Sequence, residues 1–208
     1  MKKNKQIMKT RFTLLVLFIF GLFSSQNYYR APNSYIFDIA QPSNVQGFKI
    51  PVKKAYDVWA SSTYLSTNLS TTGVQTASVL WEDVPGLIRE VNMEGSGSTA
   101  KIKVSINRAK GKGNAVVNFK IDGTIYWSWH IWVTDNPDPT TNTSVNASDY
   151  LYAPVSMRNV NNVFAGKYQF MDRNLGATSN TFLGDEWNKS AGLFYQYGRK
   201  DPFPAFVN

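Results

Sequence analysis

The stretch "KIDGTI", Lys120 to Ile125, constrains this chain more than any other. It joins two long β-type runs, "NAVVNFKI" (Asn114–Ile121) and Ile125–Val133, with Asp122-Gly123 at the turn between them. A two-residue loop of this kind is a tight hairpin, because glycine accepts the positive φ that the turn demands. An isolated hairpin is marginal in water, so further strands must cover it. The preceding sequence supplies them: "YIFDI" (Tyr35–Ile39), "FKIPVKK" (Phe48–Lys54), "ASVLWED" (Ala77–Asp83), "LIREVNM" (Leu87–Met93) and "AKIKVSI" (Ala100–Ile106). Turn residues separate the runs: "QPSN", "STTG", "DVPG", "EGSGS" and "AKGKGN". Seven strands in about one hundred residues predict a mainly β fold, an immunoglobulin-like seven-stranded β-sandwich over residues 34–133.

Period-two alternation assigns faces. Ile102, Val104 and Ile106 share one side of their strand, with Lys101, Lys103 and Ser105 on the other. Val116 beside Val117 predicts a strand buried on both faces. Pro51 lacks a ladder donor and predicts an edge strand or a bulge. In the last strand, Ile125, Trp127, Trp129, Ile131 and Val133 form a continuous apolar stripe, so Trp127 and Trp129 are expected in the core. The opposite set holds the candidate ligand or interface residues Tyr126, His130 and Trp132. An exposed row of aromatics with polar handles stacks on sugar rings or meets a protein partner, and the following part of the chain is the third candidate to cover it.

The same residues give little to catalysis. The chain has one histidine and no cysteine, which removes thiolate chemistry and makes zinc improbable. A lone strand histidine is more often hydrogen-bonded structure than a general base. The adjacent acids Glu82-Asp83 and Asp185-Glu186 point apart and are expected to be solvated. "EGSGS" and "KGKGN" are turn glycines, since no helix follows them to cradle phosphate. Asp135, Asn136 and Asp138 offer three oxygens for calcium in a proline-containing segment, which is not a calcium loop. The expectation is therefore no catalytic residue, no metal and no cofactor.

The chain begins "MKKNKQIMKTR", followed by the apolar run Phe12–Phe23. A basic start before a short apolar run reads as a signal peptide over residues 1–25, because a membrane span needs about 20 apolar residues. Five of the 22 Lys and Arg lie in that leader, and no acid precedes Asp38. The remaining 17 face 14 acids, so the basic balance does not point to nucleic acid. After the strands, residues 134–150 are polar and proline-containing and read as a linker. Asn142-Thr143-Ser144 and Asn146-Ala147-Ser148 match glycosylation sequons there, a short pattern taken as chance. Residues 151–208 read as an incomplete α+β module, with a strand at Tyr168–Asp172 and a helix opened by Ser190 and stopped by Gly198 and Pro202. So short a module buries too little surface to fold alone. Phe194, Tyr195, Tyr197, Phe203 and Phe206 are expected to shelter against Tyr126, His130 and Trp132. Asp172, Arg173, Arg199, Lys200 and Asp201 are expected to form ion pairs within the module.

Three strings, "VLWEDVPGLI", "GNAVVNFKIDGTIYWSWHIWVTDNP" and "MDRNLGATS…GLFYQYGRKDPF", resemble fimbrillin-like cell-surface proteins of Bacteroidota. The last is similar to the start of the Fibrobacter succinogenes-type major paralogous domain. The resemblance covers about Tyr35 to Phe203. It implies an exported protein at the cell surface or outside a Gram-negative cell, structural or adhesive, fimbria-associated, with surface subunits or glycan as partners and no catalysis of its own. The chain departs from the pattern in having no lipobox cysteine, and in ending shortly after "GRKDPF", where the paralogous domain should continue. Two rival expectations are a carbohydrate-binding module built on Tyr126, His130 and Trp132, and a fragment of a secreted enzyme.

Overall fold

A computed structural model of the 208-residue chain describes residues 28, 29, 31–135, 173–180 and 187–204. The leader, most of the linker with its sequons, the strand expected at Tyr168–Asp172, Asp185, Glu186 and Phe206 lie outside the described residues. The fold is mainly β. Seven strands come first: β1 (Ser34–Asp38), β2 (Gly47–Pro51), β3 (Gln75–Glu82), β4 (Ile88–Glu94), β5 (Lys101–Ile106), β6 (Gly113–Ile121) and β7 (Thr124–Thr134). They form a four-stranded sheet of order β1-β7-β6-β3 and a three-stranded sheet of order β2-β5-β4. Each strand overlaps a run expected from the sequence. β1 lies parallel to β7, with Ser34 opposite His130 and Ile36 opposite Trp132.

The hairpin forms as expected. Asp122 and Gly123 both take positive φ, 51° and 81°, the backbone that matches the right-handed twist of the flanking strands. One hydrophobic cluster joins the two sheets: Ile50, Ile102, Val104 and Ile106 from one, Val117, Phe119, Trp129, Ile131 and Val133 from the other. Pro51 ends β2, an edge strand. β6 is buried on both faces for nearly its whole length.

Two helical features differ from expectation. "FKIPVKK" is not strand to its end, because helix α1 (Lys53–Ser61) starts two residues after Pro51. Val52, Ala55 and Tyr56 are buried and Trp59 packs on the same core, an i, i+3, i+4, i+7 stripe of helical period. Lys53 and Asp57 pair one turn apart at 2.5 Å. Near the C-terminus, helix α2 (Trp187–Ala191) stops where the sequence expected a helix to be under way. Gly192 has φ of +78° and turns the chain into β8 (Leu193–Phe194), which pairs with β9 (Phe203–Pro204).

Helix α1 also shapes β7. The register between β6 and β7 slips so that Phe119 faces Trp127 and Lys120 faces Ile125, leaving Tyr126 as an extra residue. The Trp59 indole donates to the Tyr126 carbonyl at 2.8 Å, and the two rings meet edge-on with centroids 5.2 Å apart. The bulge turns Tyr126 toward the core and leaves Ile125 exposed. Trp129 is fully buried as expected, whereas Trp127 is only partly buried.

Candidate functional site

The outer face of β6 and β7 carries Asn114, Val116, Asn118, Ser128, His130, Trp132 and Thr134. All are buried, although the shared core lies on the other side. Their cover is a C-terminal strap, residues 173–180 and 187–204, which lies along this face. The Trp132 indole donates to the Ala177 carbonyl at 3.1 Å. The Asn114 amide donates to the Gly176 carbonyl at 2.9 Å. Gly176 has φ of +84°, and a Cβ there would stand 2.4 Å from Leu193 and 3.1 Å from the Asn114 side chain. Only glycine lets the strap backbone approach this closely.

Of the covers the sequence left open for this face, the following part of the chain is the one present at His130 and Trp132. His130 is 2% exposed and Trp132 0%, while Tyr126 belongs to the opposite side. The three do not form an open row. The aromatics expected to shelter here do not: Phe194, Tyr195 and Tyr197 are exposed, Tyr197 completely. The carbonyls of Gly176 and Ala177 accept from this face instead, and the buried strap side chains are the smaller Ala177 and Leu193.

At the centre, the buried Asn114 and His130 are linked by hydrogen bonds to the exposed Asp83 on one side and the half-buried Ser34 on the other. The Asn114 backbone N–H and side-chain amide donate to the two Asp83 oxygens at 2.6 and 2.7 Å. With its amide nitrogen so used, Asn114 presents Oδ1 to His130 Nε2 at 2.9 Å. Nε2 must then carry the proton, and Nδ1 accepts from the Ser34 hydroxyl at 3.2 Å. Burial pushes the His130 pKa down to about 3. With both ring nitrogens engaged, the imidazole is held in one orientation between Asn114 and Ser34. Burial pushes the Asp83 carboxyl up, against the hydrogen bonds from Asn114.

The expected acid pair splits: Asp83 stays exposed to solvent while accepting from Asn114, and Glu82 is half-buried and accepts from the backbone N–H groups of Gly86 and Ile88. A signal was available in "NAVVNFKI", where Asn114 and Asn118 sit in a strand otherwise apolar on both sides. Buried amides require hydrogen-bond partners.

The strap is latched at both ends. Arg173, its side chain 2% exposed, donates to Asp135 at 2.6 Å. Lys112 reaches the same carboxylate at 2.9 Å. Burial opposes ionisation of Asp135, yet the hydrogen bonds from Lys112 and Arg173 outweigh it and bring its pKa to about 2. Asp135 thus serves two cations of the protein, and Asn136 and Asp138 lie outside the described residues. At the far end, both Asp201 oxygens accept from the Ser128 hydroxyl at 2.7 Å, and Lys200 donates to the Ser128 carbonyl at 2.7 Å. Lys200 pairs with Asp201 and stands 4.8 Å from the Trp127 ring centre. Burial lowers its pKa, and Asp201 works against that shift. Arg199 stacks on Phe203 at 4.1 Å. Of the charged residues expected to pair within the module, Lys200 and Asp201 do so and also bond Ser128 of β7, Arg173 instead reaches Asp135 just past β7, and Arg199 stacks on Phe203. Asp172 lies outside the described residues.

Among the described residues, no group of three histidine, cysteine or acidic side chains stands close enough to hold a metal ion, and no helix is long and apolar enough to cross a membrane. In comparison with known proteins, no family model matches the chain, and no curated protein or solved structure matches it.

Proposed function

We propose that this chain is an exported cell-surface protein of structural or adhesive kind, fimbria-associated and without catalysis of its own. Residues 34–133 act as an immunoglobulin-like sandwich. The strand orders support that reading: strands 2, 5 and 4 fall in one sheet and 3, 6 and 7 in the other, the partition of that fold. β1 joins the second sheet, in parallel with β7. The strap is the beginning of a second module of the paralogous type, and its partners are other surface subunits or glycans.

One observation carries the functional reading. The polar and aromatic groups best suited to chemistry are spent on holding one part of the chain to another. The single histidine is buried and neutral, with both nitrogens engaged. A protein that uses its Trp, His and Asn in this way is made to keep its parts together.

Protease treatment of intact cells expressing a C-terminally tagged chain tests the proposal. The tag should be lost from intact cells at the rate seen after lysis. A tag protected in intact cells and cleaved only after lysis would refute surface exposure.

A further inference from the structure

The strap does more than cover the outer face. Where its first turn, α2 and β8 meet the ends of β3 and β6, they enclose a half-open cavity of about 210 Å³. We propose that this cavity binds one neutral sugar ring, such as the terminal residue of a glycan. The idea names a ligand class for the adhesive module proposed above and takes its biological setting from that reading.

The volume lies below the range of drug-sized pockets, roughly 300–1,000 Å³, which suits a single ring and excludes an oligosaccharide held along its length. Val84, Leu193 and Pro204 give an apolar wall against which the C–H face of a ring can lie. The polar groups are gathered apart from them. Asn114 donates to both Asp83 oxygens, its backbone N–H to one and its side-chain amide to the other, and a carboxylate has about four lone-pair sites, so acceptor capacity is left for a ligand. A carboxylate fixed in this way suits the two O–H donors of neighbouring sugar hydroxyls. Thr178, Asn188, Lys112 and Lys189 line the same cavity and add donors for hydroxyl and ring oxygens.

Charge narrows the class. The Asp83 carboxylate inside the cavity opposes an anionic ligand, and the two ammonium groups oppose a cation. Lys112 is also held by Asp135 and by the Thr178 carbonyl, at 2.9 and 3.3 Å. A neutral polyol meets neither repulsion and matches the mixture of donors and acceptors.

The test is titration of the purified, isotope-labelled full chain with glucose, galactose, mannose and N-acetylglucosamine, each to about 50 mM, followed by amide chemical shifts. At least one sugar should move the signals of Gly113, Asn114, Gly176 and Gly192, with half-saturation at about 1–10 mM, the ordinary strength of a small polar ligand. Asn188→Ala, at the exposed lip, should weaken binding several-fold without moving the melting temperature. Asp83→Asn should abolish binding, and it is read only if its melt stays cooperative. No shift with any sugar, shifts that survive Asn188→Ala unchanged, or shifts produced by inorganic phosphate and not by sugars would each overturn the proposal. Binding is read on purified protein, so its failure leaves the cell-surface reading to stand or fall on the protease experiment.

Discussion

Trp129 and Trp132 stand three residues apart on β7, both fully buried, one facing each side of the sheet. Their replacement by phenylalanine separates the two faces energetically. The side-chain volume removed is the same, so the transfer and cavity contributions largely cancel in the comparison. What differs is the indole N–H. At Trp132 it donates to the Ala177 carbonyl at 3.1 Å, and Trp132→Phe leaves that carbonyl buried and unpaired, at a cost of about 1–3 kcal/mol. At Trp129, Nε1 has no hydrogen-bond partner among the described residues, and Trp129→Phe removes a polar group that is itself unfavourable to bury. Trp132→Phe should therefore be the more destabilising, by about 2 kcal/mol. Urea unfolding followed by far-UV circular dichroism measures this without depending on tryptophan emission. With a urea slope of about 2 kcal/mol/M, the midpoints should differ by about 1 M. Equal midpoints, or a lower midpoint for Trp129→Phe, would refute the claim that the strap is a bonded part of the fold.

The buried histidine makes stability depend on pH. The folded pKa of about 3 lies below the unfolded value of about 6.5. The unfolded chain therefore binds the proton first, and stability is lost as pH falls from about 6.5 toward about 3. Asp83, pushed up by burial, acts in the opposite sense. Against His130→Gln, the unmodified protein should lose about 3 kcal/mol more between pH 6.5 and pH 4 in urea titrations; parallel pH profiles would contradict a neutral buried imidazole. Arg173→Ala should free the near end of the strap, costing about 1–2 kcal/mol and opening residues 173–180 to limited proteolysis, and an unchanged digestion pattern would count against the latch. Gly123→Ala should cost about 1–2 kcal/mol purely through backbone conformation, because φ is +81° and no atom lies within 4 Å of the added Cβ; thermal melting reads it, and an unaltered melt would mean the turn differs from this one.

Local chemistry was enough for the strands. Asp122-Gly123 specifies its turn through glycine's freedom at positive φ, and the runs on either side are long enough that only pairing satisfies their backbone. The two valines of β6 signalled burial on both faces for the same reason, since a strand that is apolar on both sides must be covered on both. Helix α1 was obscured because "FKIPVKK" shares its hydrophobic character with a strand, and the helical period appears only when Trp59, beyond that run, is counted with Val52, Ala55 and Tyr56. Period-two reasoning also placed Trp129, Ile131 and Val133 correctly. It failed at Tyr126, where one inserted residue reverses the faces, and that insertion depends on the pairing partner Phe119 and on the Trp59 indole 67 residues away in sequence. The surroundings of His130 and Trp132 were decided later still along the chain, by Gly176 and Ala177. Alternation says which way a side chain points from its own strand. Whether water or protein meets it there depends on contacts between segments far apart in sequence, and those exist only once the tertiary structure has formed.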